Sequence, residues 1–76
     1  MAQVETARLP SLRYWRAQRG YTQARLASRI GMRRNTIWWI EAGHPTRART
    51  ARQLAVVLGV QVADLERQPP AGLAHQ

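Results

Sequence analysis

Residues 22–43, TQARLASRIGMRRNTIWWIEAG, decide the fold. Thr22 is a good N-cap, because its hydroxyl can accept a bond from one of the backbone N–H groups that a helix leaves orphaned at its start. Leu26, Ala27 and Ile30 then share one helical face, and Gly31 stops the helix, since a glycine enters the left-handed backbone region without strain. The next helix is predicted from about Arg33 to Ala42, with Ile37, Ile40 and Glu41 on its inner face. Only a residue or so separates the two. Short helices joined through so tight a turn must cross closely, and Ala27 is the small residue that such a crossing needs.

Working outward, Leu12, Trp15, Arg16 and Arg19 repeat at i, i+3, i+4 and i+7 behind Pro10 and Ser11, which predicts a first helix over about 11–19. Downstream, Ala51, Leu54, Ala55 and Leu58 form an amphipathic stripe between Thr46, a candidate cap, and Gly59. A short turn of helix is predicted over Val62 to Glu66. No stretch alternates apolar and polar residues with period two, so no strand is expected. The fold class is therefore all-α with five helices. The folded domain should span 9–66, with 1–8 a mobile N-terminal arm and 67–76 a mobile tail.

Composition narrows the function. Seventy-six residues suffice for one small domain, which buries roughly 60% of its unfolded surface. Twelve Arg, no Lys and four acids give a formal charge of +8 and a sequence pI near 11.9. Between Arg8 and Arg52 eleven Arg face a single acid, Glu41. A GC-rich genome would account for the missing Lys but not for the missing acids, so the expected partner is a polyanion, nucleic acid first. The absence of Cys excludes disulfides and thiolate metal sites. His75 lies too far along the chain from His44 to share a metal with it, and no cofactor is expected. The longest apolar run, Leu54 to Val60, falls far short of the roughly 20 residues a membrane span needs. A soluble, cytoplasmic, nucleoid-associated protein is the expectation. Enzymatic chemistry has little to stand on, because Asp64 and Glu66 do not share a helical face and no nucleophile has a base nearby in sequence.

With Ile37 and Ile40 turned inward, the outer face of the helix over 33–42 carries Asn35, Trp39 and Ala42, flanked by Arg34 and Trp38. Arg can bond guanine in a bidentate way, Asn can do the same for adenine, and an apolar side chain can meet the thymine methyl. Taken with Thr22-Gln23, Ala27, Gly31, Ile37 and the ending Ile40, Glu41 and Gly43, the segment resembles the lambda-repressor-like (Cro/repressor, Xre) helix-turn-helix family. Leu12 and Arg16 upstream, and Leu54, Ala55, Leu58, Gly59 and Val60 downstream, extend the resemblance over about residues 9–66.

The resemblance implies that the second helix of the pair lies in the major groove. By position, Arg33, Arg34, Asn35 and Trp39, with Trp38 beside them, become the base-reading candidates. Gln23, Thr36, Arg47 and Arg49 match the family's phosphate or groove-edge contacts, and Thr22 and Arg25 at the start of the second helix join them. The chain also departs from the pattern. The Trp39 position is often polar or basic in relatives, so no base preference transfers. Arg25 stands where a capping box would want Glu. The fourth helix begins without the usual Pro or acid.

Arg25, Arg33, Arg34, Arg47 and Arg49 all fall near helix starts, where the helix dipole disfavours a cation by about 0.3–1 kcal/mol each. The same groups attract phosphate, so DNA should stabilise the fold. Arg16 and Glu41 sit on otherwise apolar stripes and are expected to meet as a structural ion pair. Trp15 is expected in the core, one of Trp38 and Trp39 is expected outside, and His44 is expected to be merely solvated. Val56 lies off the fourth helix's stripe, and with Val60, Val62 and Leu65 it forms the candidate dimer surface.

Together these features predict a sequence-specific double-stranded DNA-binding regulator, a repressor, acting as a homodimer on promoter DNA. The same scaffold also allows an antitoxin with a toxin partner or a restriction-modification controller. Outside that class stand a protein-interaction module gripping its partner with Trp38 and Trp39, and a nonspecific nucleic-acid binder.

Overall fold

Among residues 5–69, the part of the chain described by the computed structural model, the backbone forms five helices and one short pair of strands. In chain order these are β1 (Thr6–Ala7), α1 (Leu12–Gln18), α2 (Gln23–Arg29), α3 (Arg34–Glu41), β2 (Thr46–Arg47), α4 (Ala48–Leu58) and α5 (Val62–Glu66). The arrangement is the expected five-helix one, with α2 and α3 as the closely joined pair of short helices.

Local chemistry sets the helix ends. Thr22 Oγ1 accepts the Arg25 backbone N–H at 3.1 Å, which caps α2 as its sequence requires. Gly31 takes φ 69°, and the following Met32 N–H returns to the Ala27 carbonyl at 2.8 Å. That closure turns the chain from α2 into α3 through residues 30–33, a longer connection than the spacing suggested. At the end of α4, Gly59 takes φ 70° and lets the Val60 N–H reach the Ala55 carbonyl at 3.0 Å. The short α5 is held at its start by the Asp64 carboxylate, which accepts the Gln61 N–H at 2.9 Å.

The core is one cluster drawn from every helix. Leu9, Leu12, Leu26, Ala27, Ile37, Ile40, Ala51, Leu54, Ala55, Leu58 and Leu65 are all buried. Each large side chain among them contributes about 1.5–3 kcal/mol by leaving water. Trp15 is not a core residue. It is half-buried at the margin, with the Arg19 guanidinium 5.1 Å from its ring centre and Tyr14 edge-on at 5.0 Å.

Four expectations are corrected. Thr6 and Ala7 pair antiparallel with Arg47 and Thr46, and the Ala48 N–H donates to the Glu5 carbonyl at 3.0 Å. Residues 5–7 are therefore bonded to the start of α4 instead of belonging to a free arm, while 1–4 and 70–76 lie outside the described residues. Thr46 is taken up by that pairing, so Arg47 occupies the N-cap of α4. Ser11 stands at the N-cap of α1 as expected, but its side chain makes no capping bond, because its hydroxyl donates to the Arg67 carbonyl. Leu65 is fully buried beneath α1 and α4, since the chain after Gly59 folds back over the core, and it cannot serve a dimer surface.

Candidate nucleic-acid interface

The exposed side of α3 follows from its buried one. Ile37 and Ile40 are fully enclosed, so residues 100° or more away around the helix must face outward. Asn35, Trp38 and Trp39 do so, Arg34 is exposed in the first turn of the helix, and the four together line an open cleft of about 380 Å³. Four of the five base-reading candidates thus share one concavity. The fifth, Arg33, is exposed at the N-cap of the same helix.

Both tryptophans are solvent-facing, at 53% for Trp38 and 50% for Trp39. Trp39 has a companion that the sequence did not reveal. Its ring stacks on the His44 imidazole, with centroids 3.6 Å apart and planes 11° from parallel. Gly43 makes this possible by turning the chain back at the end of α3, and the His44 N–H reaches the Trp39 carbonyl at 3.3 Å. His44 is accordingly half-buried and not merely solvated. Arg8 is also at this turn, where Nη1 donates to the Gly43 carbonyl at 2.6 Å. No local sequence signal marks Arg8, because the contact depends on where β1 lies.

The phosphate-contact candidates divide. Thr22 and Arg25 are exposed at the start of α2, and Arg47 and Arg49 are exposed at the start of α4. Thr36 is half-buried in the first turn of α3. Gln23 turns away from this surface, because its amide Nε2 donates to Glu41 Oε1 at 3.0 Å. The acceptor is already committed inside the fold. Arg16 Nε donates to Glu41 Oε2 at 2.6 Å, Arg16 Nη2 donates to Oε1 at 3.2 Å, and Arg16 Nη1 donates to the Tyr21 carbonyl at 2.9 Å. With side chains only 15% and 6% exposed, Arg16 and Glu41 tie α1 to the far end of α3.

The electrostatics are one-sided. None of α1 to α4 has an acid in its first turn, and the N-cap positions of α3 and α4 are occupied by Arg33 and Arg47, neither of which caps with its side chain. The backbone N–H groups at those helix starts and the adjoining guanidiniums present positive charge on positive charge. An anion relieves both, since helix starts and Arg each bind phosphate.

A family model described as a helix-turn-helix domain matches residues 11–68. Among solved structures, the chain is similar to the crystal structure of a hypothetical transcription factor, NHTF, from Neisseria, with a TM-score of 0.71 and 24% identity. That likeness covers 87% of this chain and 77% of the other, and at this identity it speaks of the fold. No curated protein matches the chain.

Proposed function

Because the chain belongs to the helix-turn-helix domain family, we propose that it is a sequence-specific, duplex-DNA-binding regulator of transcription. In this proposal α3 enters the major groove, where Arg33, Arg34, Asn35, Trp38 and Trp39 meet base edges. Thr22, Arg25, Thr36, Arg47 and Arg49 hold the flanking phosphates and fix the register. The carrying observation is the cleft on α3, which sets a guanidinium, a carboxamide and two indoles side by side on the exposed face of the second helix of the pair. The His44 stack supports it further, because it holds the Trp39 ring in one plane before any DNA arrives.

One such helix reads few base pairs, so two copies are expected on half-sites about one DNA turn apart. With Leu65 in the core and Val60 and Val62 half-buried, Val56 is the one dimer candidate of the four left exposed, too little apolar surface for a dimer in free solution, and the homodimer assembles on the DNA. Occupying promoter DNA in this way would repress transcription.

The test is selection from a random duplex pool at about 150 mM salt, where screening trims nonspecific phosphate binding. An enriched inverted repeat with half-sites about 10 base pairs apart is the expected result. Retention with no enriched motif would leave a nonspecific polyanion binder and remove the regulator.

A further inference from the structure

The outer side of α4 carries a second surface that duplex DNA does not explain. Arg49, Arg52 and Val56 follow one another at three- and four-residue steps and therefore line up along one stripe. That stripe borders an open groove of about 510 Å³ whose apolar lining is Ile30, Val56 and Val57 and whose polar lining is Arg29, Arg49, Arg52 and Gln53. Val56 is 79% exposed, the most exposed large apolar side chain of the described residues. From Arg49, at the edge of the proposed phosphate surface, the groove runs about 10 Å along α4 to Val56, at 1.5 Å per residue.

All four acids of the chain are accounted for, and none lines the groove. Glu41 is bound by Arg16 and Gln23, Asp64 faces Arg67 at 3.6 Å, and Glu5 and Glu66 line, together with Arg52, an adjoining hollow beside β1 and α5. Arg29 and Arg49 thus have no carboxylate beside them among the described residues, and Arg52 forms no ion pair with either acid of the hollow it shares.

We propose that this groove is a docking site for an acidic polypeptide segment bearing bulky apolar side chains. The combination selects the occupant. A sugar-phosphate backbone would satisfy the arginines but gain nothing from Ile30, Val56 and Val57. A second copy related by a two-fold axis through the groove would satisfy the apolar lining but bring like charges together, which costs association free energy. A segment with carboxylates flanking aliphatic or aromatic residues satisfies both.

Selection from a displayed library of random dodecapeptides, at about 150 mM salt to suppress general attraction to the basic chain, tests the assignment. The expected winners pair Asp or Glu with Leu, Ile, Phe or Trp. Arg52→Gln and Val56→Ser, both at exposed positions, should each weaken the selected peptides about tenfold while retaining the wild-type melting temperature, and Arg52→Gln should also retain the wild-type duplex affinity. The proposal is overturned by no enrichment, by acidic peptides without apolar residues, by peptides whose binding survives both substitutions, or by self-association of the wild-type protein that Val56→Ser abolishes. A parallel loss of duplex affinity in the two variants would assign the groove to DNA instead. Duplex selection by the wild-type protein is read separately, so failure of the regulatory proposal and failure of this one remain distinct.

Discussion

At the scale of single residues, Glu41 is the junction on which the helix pair is locked. Its two oxygens receive Arg16 twice and Gln23 once, almost out of contact with water. Removing either charge strands the other in a low-dielectric site, which costs about 3–5 kcal/mol. Glu41→Leu and Arg16→Met should each lower stability by that amount, a large share of the whole for so small a domain. The double substitution should be markedly less damaged than either single, as read by urea denaturation; additive losses would show that the charges act independently. The meeting of these two was legible in sequence, because charges on two apolar stripes have few other places to go. Gln23 was not, since an amide in the first turn of a helix faces either solvent or a neighbour according to where that neighbour lies. The Trp39–His44 stack was hidden for the same reason, depending on the path the chain takes through Gly43.

At the scale of elements, the turn between α2 and α3 rests on the backbone of one residue. Gly31 holds φ 69°, and a Cβ there would meet nothing within 4 Å. The cost of a side chain is therefore backbone strain alone, about 1–2 kcal/mol for an ordinary residue. Gly31→Ala should lower stability by that amount, and Gly31→Asn by less, because Asn tolerates the left-handed region better. Equal losses in the two variants would point to a packing cost instead. The helices before Gly59 were readable because they combine an apolar face at helical spacing with a start or stop signal. The β1 and β2 pair was not, since two residues per strand are too few to display a period-two pattern. What makes them a pair is the packing of the segment before α1 against the start of α4, and that same pairing removes Thr46 from its expected cap.

At the scale of the whole molecule, the charge of +8 sets the terms on which the fold exists. Like charges concentrated at the starts of α2, α3 and α4 oppose the helix dipoles. Screening should relieve this, so the melting temperature of the free protein is expected to rise as NaCl increases from about 50 to about 300 mM. Duplex DNA should act more strongly: at 100 times its Kd a ligand contributes about 2.7 kcal/mol, or about 10–20 °C for a domain of this size. This gain should shrink as salt rises, because phosphate contacts weaken with salt. Thermal melts followed by circular dichroism, with and without the selected operator, check both signs, and a melting temperature indifferent to saturating duplex would contradict them. By itself the sequence determined the five helices, the core stripes, the helix-turn-helix and the surplus of positive charge, because each is written in local spacing or in composition. The tertiary contacts were needed to place Leu65 in the core, to turn Gln23 inward, to set His44 against Trp39 and to bring Arg29 beside the α4 arginines around one groove. These depend on contacts between residues distant along the chain, and the direction of a half-exposed side chain is settled by the neighbour that folding brings to it.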